Sequence, residues 1–105
     1  MDWSSSTFYL GKLYASPLVS DQTLEQLPGV SGTDLTRTVL RMIDTQGKHL
    51  TETACKSQSA PSFANLGEAA IVIDYVEKLI QHGLSPGQIA VIAPYKAQVQ
   101  LFRLT

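Results

Sequence analysis

An α/β fold with a parallel sheet flanked by helices is the reading this 105-residue sequence supports, and three observations carry it. Thr38 to Ile43, T-V-L-R-M-I, is a short apolar run bounded by polar residues. Asn65 opens a long segment with helical spacing, and Ile89 to Ala93, I-A-V-I-A, is continuously apolar after a Gly/Pro turn. A strand, a capped helix, a second buried strand and a further helix make the alternating pattern expected of right-handed crossovers.

Taken in chain order, the bulky residues from Trp3 to Tyr14 cluster around a serine run and predict a short amphipathic helix that stops near Gly11. Ala15 to Gly32 mixes Pro17, Pro28 and Gly29 with scattered leucines and reads as a connector with one helical turn around Asp21 to Leu27. Residues 38–43 then predict a mostly buried strand, with Asp44 and Thr45 at its C-terminal end. Lys48 to Ser62 is polar, rich in Ser and Thr and without a period, the composition of an exposed, mobile loop.

The sequence N-L-G-E from Asn65 matches a capping box, in which the Asn side chain accepts from a first-turn N–H while Glu68 reaches back to the cap. Ala69, Val72, Ile73, Val76, Leu79 and Ile80 fall three or four apart and predict one apolar stripe. Gly83 supplies the left-handed residue that closes such a helix, and Pro86 prevents its continuation. The strand predicted at 89–93 ends at Pro94, which has no N–H for a ladder. From Tyr95 to Leu104 helical spacing returns, with Val99 and Phe102 on one face.

These segments form one unit over residues 1–105: helix and connector in 1–37, strand and loop in 38–64, and helix, strand and helix in 65–105. Two strands are too few for a stable open sheet and leave both edges unpaired, which predicts a truncated domain with further strands beyond Thr105. Marginal stability and self-association through those edges are expected of the isolated chain.

Hydrophobic residues make up 44 % and charged residues 16 %, too apolar and too weakly charged for a disordered chain. The formal net charge of −1 provides no chain-wide field for phosphate polyanions, so any nucleic-acid contact has to be local. No apolar run approaches the roughly 20 residues needed to cross a bilayer. Cys55, the single cysteine, has no partner for an internal disulfide, which fits the nucleus or cytoplasm.

Two stretches carry a resemblance: Asn65-Leu66-Gly67-Glu68-Ala69, and Ile89 to Ala93 followed by Pro94-Tyr95-Lys96-Ala97-Gln98-Val99. They resemble the second RecA-like domain of superfamily 1 DNA/RNA helicases, in the Dna2/Nam7-like branch that includes the nonsense-mediated-decay helicase. In that branch an N-x-x-E-A helix leads through a Gly/Pro turn to a strand ending in T-P-Y-x-x-Q, the motif called IV. Here the strand ends A-P-Y-K-A-Q. Upstream, W-S-S-S-T-F-Y-L-G-K-L, L-P-G-V and I-D-T-Q-G also resemble family segments, so the likeness covers nearly the whole chain.

The resemblance implies a partial, P-loop NTPase-type RecA-like domain of an ATP-dependent helicase, contributing part of the single-strand track for DNA or RNA and part of the surface facing a first RecA-like domain. It implies Pro94, Tyr95 and Gln98 as nucleic-acid-binding residues, with Ala93 in place of the threonine whose hydroxyl is one phosphate contact. ATP and Mg are implied for a complete parent protein. No G-x-x-x-x-G-K-[ST] phosphate cradle, Walker B element or arginine-finger motif occurs here, so neither a cofactor site nor a catalytic residue is expected within this chain.

Blander readings stand beside these. Tyr95 and Gln98 also fit capping and packing of the last helix, and Glu68 fits a helix cap rather than a catalytic acid. Asp44 suits a turn, His49 and His82 lack companions at metal spacing, and Cys55 lacks an activating base. A non-catalytic, helicase-derived binding or interaction module is the alternative function, with Tyr95, Lys96 and Arg103 as its patch.

Overall fold

A computed structural model of the chain describes residues 2–56 and 61–104. Among the described residues, four helices, two short strands and two 3₁₀ turns make up the regular structure: α1 (Asp2–Phe8), α2 (Asp34–Arg37), β1 (Thr53–Lys56), β2 (Pro61–Ala64), α3 (Leu66–Gln81) and α4 (Lys96–Leu104), with the 3₁₀ turns at Leu24–Gln26 and Pro86–Gln88.

Helix α1 ends three residues before Gly11 for a local reason. Leu10 and Gly11 both take left-handed backbone angles, φ 52° and 74°. The chain then folds back onto buried Ser5, whose hydroxyl donates to the Leu13 carbonyl at 2.8 Å and accepts from the Leu13 N–H at 3.1 Å. A serine that occupies the backbone groups of a following segment competes with further helix. In α2, fully buried Thr36 plays a similar part: its hydroxyl donates to the Ser31 carbonyl at 2.6 Å and accepts from the Thr33 N–H at 2.9 Å.

Helix α3 covers the predicted segment, because its apolar residues recur on one face and both ends are satisfied. The Asn65 side chain accepts from the Glu68 N–H at 3.0 Å, as expected of an N-cap. The reciprocal half of the capping box is absent: the Asn65 N–H is taken by Gln98 Oε1 at 2.7 Å, and Glu68 Oε1 instead accepts from the Thr45 hydroxyl at 3.1 Å. At the other end Gly83 sits at φ 105°, and an added Cβ would lie 2.1 Å from the Gly29 carbonyl oxygen. Glycine is needed there both for its backbone angle and for the close approach of the connector. That connector is tied to the helix end by the Ser31 N–H, which donates to the His82 carbonyl at 2.8 Å.

Two expectations about strands differ from what the described residues form, and the parallel pairing expected of 38–43 and 89–93 is not seen among them. Among the described residues the sheet is a two-stranded antiparallel hairpin, β1 paired with β2 in the register Thr53 to Ala64, Ala54 to Phe63 and Cys55 to Ser62. It lies in the segment read as a mobile loop, of which 57–60 fall outside the described residues. The predicted strands at 38–43 and 89–93 carry no ladder. No other described segment pairs with them, and Met42 and Ile92 are 91 % and 92 % exposed. An apolar run becomes strand only when a neighbour supplies hydrogen bonds; the hairpin has its own neighbour and these runs do not.

The core is small. Ala69 and Leu79 of α3, Leu84 beyond it and Ala97 of α4 are its buried apolar residues, with Val72, Ile73 and Val76 half-buried on the same face of α3. Helix α4 packs on β2 and on α3, so the hairpin, α3 and α4 form one packed block. The ion pairs Glu25–Arg37, Asp34–Arg41 and Asp74–Lys78 lie at the surface. The hydrogen bond to Asp34 raises the Arg41 guanidinium above its already high ordinary value. No helix among the described residues is long and apolar enough to cross a membrane.

Candidate functional site

The A-P-Y-K-A-Q stretch turns the chain from the 89–93 segment into α4, and three ties to other parts of the packed block hold that turn, two through side chains of β2 and one through the side chain of Gln98 itself. The Tyr95 carbonyl accepts the first helical hydrogen bond, from the Val99 N–H at 3.1 Å. One of the orphan N–H groups of the first turn, that of Ala97, donates to the Ser62 hydroxyl of β2 at 3.0 Å. The Phe63 ring meets the Tyr95 ring edge to face, with centroids 5.5 Å apart and planes at 70°, an arrangement favoured by aromatic quadrupoles.

Gln98 is the third tie. Its amide makes two hydrogen bonds to the same residue, accepting from the Asn65 N–H at 2.7 Å and donating to the Asn65 carbonyl at 3.2 Å. Asn65 is itself buried, and its Nδ2 donates to the Leu50 carbonyl at 3.3 Å. Every polar group of Asn65 is therefore engaged, linking α3, α4 and the segment before β1. Leaving one such buried group without its partner costs about 1–3 kcal/mol, so this cluster fixes where α4 begins.

An open cleft of about 270 Å³ lies against the turn. Phe63, Val72, Val91, Pro94, Tyr95 and Phe102 supply its apolar wall, and the carboxyl-bearing Glu52 and Glu68 stand among its polar lining residues. Tyr95 is 44 % exposed beside it, whereas Phe63 is half-buried. Lys96, next in the chain, is exposed and lies outside the lining. Pro94, Tyr95 and Gln98 are thus brought together at one cleft, but their settings differ. Tyr95 lines it as an exposed residue whose ring rests on Phe63, while Gln98 also lines the cleft with its amide committed to the Asn65 backbone. Ala93 is half-buried in the same wall.

The other polar residues weighed from sequence have local roles here. Asp44 Oδ1 accepts from the Gln46 N–H at 2.8 Å, the geometry of an Asx turn. His82, the residue that caps the C-terminal end of α3, contacts the Lys78 carbonyl through Nδ1 at 2.5 Å. Cys55 Sγ donates to the Thr53 carbonyl at 3.8 Å. Among the described residues no three His, Cys, Asp or Glu side chains gather as a metal site.

Sequence reasoning missed Ser62 and Phe63, which reach the turn from the hairpin. One signal was present: Phe63 is the single phenyl or phenol ring between Lys48 and Ala64, in a stretch otherwise too polar to place one without a partner.

Comparison with known proteins bears on the whole chain. The family described as AAA domain matches residues 1–105. The mouse (Mus musculus) DNA-binding protein SMUBP-2 is 40 % identical over 103 residues, covering 98 % of this chain and 10 % of that protein. The DNA polymerase alpha-associated DNA helicase A of Saccharomyces cerevisiae is 38 % identical over 104 residues, covering 94 % of this chain and 15 % of its own length. An uncharacterized ATP-dependent helicase of Methanocaldococcus jannaschii is 31 % identical over 104 residues, 98 % of this chain and 15 % of that protein. The chain spans between a tenth and a sixth of the length of these curated relatives.

Proposed function

From the premise that the chain belongs to the AAA domain family, as a Dna2/Nam7-like superfamily 1 helicase segment, we propose that it contributes part of the single-strand track of an ATP-dependent nucleic-acid helicase. Pro94, Tyr95 and Gln98 mark the place in that reading. What supports it is the cleft: the motif through which the chain resembles helicases lies beside an exposed aromatic ring, in a wall built from three separate segments. Tyr95 touches the strand, Gln98 holds α4 in register with α3, and exposed Lys96 lies where a phosphate can pass.

Single-stranded DNA or RNA is the partner this reading names, and a first RecA-like domain is the second partner, closing on this one as the motor cycles. The exposed apolar runs at 38–43 and 89–93 fit strands of a RecA-like parallel sheet whose neighbouring strands come from outside these residues. Nucleus or cytoplasm is the compartment proposed.

ATP and Mg belong to the reading of a longer protein. The residues present do not fit them. The sequence holds no glycine-rich phosphate cradle with its lysine, and the described residues gather no carboxylate cluster for a metal. No step of ATP hydrolysis is therefore assigned to this chain.

Binding of the chain to a fluorescein-labelled single-stranded oligonucleotide, followed by anisotropy at low and moderate salt, tests the proposal. Affinity that weakens with salt, and a loss of about tenfold in Tyr95→Ala, are expected. Absence of binding at both salt concentrations would sink it.

A further inference from the structure

We infer that the cleft beside Tyr95 receives one unpaired nucleobase rather than a backbone phosphate, and that Phe63 is the positioning residue that holds the Tyr95 ring for it. The inference deepens the single-strand reading and rests on it.

The chemistry of the cleft distinguishes the two halves of a nucleotide. Its lining contains no Lys, Arg or His, and it does contain Glu52 and Glu68. A phosphate there would face two carboxylates without a cation, in a chain whose net charge is already −1. A base presents the opposite complement: a flat apolar face for the aromatic wall, and edge N–H groups for acceptors. Glutamate accepting from an exocyclic amine is an established base contact. The Thr45 hydroxyl occupies one bond to Glu68 Oε1, and a carboxylate offers about four acceptor positions.

Size and geometry point the same way. A cleft of about 270 Å³ falls just under the roughly 300–1,000 Å³ of drug-sized pockets, so it suits one ring system rather than a run of nucleotides. The 5.5 Å, 70° contact sets the ring of half-buried Phe63 against the ring of Tyr95, a residue 44 % exposed, which limits how far the Tyr95 ring can turn. Ser62 and Asn65, on either side of Phe63 and Ala64 in the chain, are fastened to α4 through Ala97 and Gln98. The hairpin and the Tyr95 turn consequently move as one piece, and a stacked base meets a ring already held in place.

The test compares an intact oligonucleotide with one of the same length made of abasic units, using the full chain, Tyr95→Ala and Phe63→Ala. A third variant carries Trp3→Phe with Phe63→Trp, so that its one tryptophan reports from the cleft. Intact single strands are expected to bind roughly 5- to 150-fold more tightly than abasic ones. Phe63→Ala should lose most of that difference, with the slope of log affinity against log salt unchanged. The tryptophan variant should keep the affinity and be quenched by intact strands only.

Abasic strands that bind as well as intact ones would overturn the nucleobase inference and leave the single-strand reading standing. So would a salt slope lowered by about one in Tyr95→Ala, the mark of a lost phosphate contact. Should Phe63→Ala fail to fold, an unquenched tryptophan at position 63 on binding of intact strands overturns the inference by itself. Failure of the unaltered chain to bind any single strand overturns both.

Discussion

The block made by β2, α3 and α4 and the segment from residue 2 to residue 50 contain similar kinds of apolar residues and treat them differently. In the block, side chains far apart in sequence are joined: Ser62 to Ala97, and Asn65 to Gln98 by two hydrogen bonds. In the earlier segment the side-chain contacts run mostly between residues close in sequence, such as Ser5 to Leu13, Ser31 to Thr36 and Asp34 to Arg41. Leu10, Tyr14, Leu18 and Met42 remain exposed there. An apolar residue stabilises a fold only where some other element covers it, and periodic spacing along α3 guarantees such a shared face whereas scattered leucines do not.

Three substitutions test that contrast, the first at the seam between the two regions. Gly83→Ala forces a side chain into a left-handed position and onto the Gly29 carbonyl. It should cost about 3 kcal/mol, read as a lower midpoint in denaturant unfolding. An unchanged midpoint would mean that the connector does not rest on the end of α3.

Asn65→Ala removes the helix cap and the partner of the Leu50 carbonyl. A loss of about 2 kcal/mol is expected, together with faster hydrogen exchange at Glu68 and Ala69 in the first turn. If exchange there stays slow, the packed block does not depend on Asn65 as its junction.

Arg37→Ala is the smallest. The Glu25–Arg37 pair measures 2.9 Å, but its side chains are 34 % and 62 % exposed, so no more than about 0.5 kcal/mol is expected. Thermal unfolding in added salt should bring the unaltered chain and the variant together. A larger, salt-insensitive loss would move part of the stability from the packed block to the earlier segment.

The candidate site was legible in part. Pro94, Tyr95 and Gln98 could be picked out through the resemblance of A-P-Y-K-A-Q to a helicase motif; the one-turn spacing of Tyr95 and Gln98 alone fits capping of the last helix equally well. Their division of labour could not. Gln98 points an amide at Asn65 because α3 and α4 pack side by side, and nothing in P-Y-K-A-Q encodes the partner. Phe63 was overlooked because a hairpin of four-residue strands has too little alternation to announce itself.

The sequence by itself determined the elements whose reasons are local. Helix α3 follows from an Asn cap, an apolar stripe and Gly83, and the beginning of α4 follows from Pro94, since caps, periodicity and missing N–H groups act within a few residues. Only the tertiary structure decided which segments became strand and where Tyr95 faces. Strand hydrogen bonds and ring contacts need a partner brought from elsewhere in the chain, so the hairpin formed where its two halves met, and 38–43 and 89–93 stayed without a ladder.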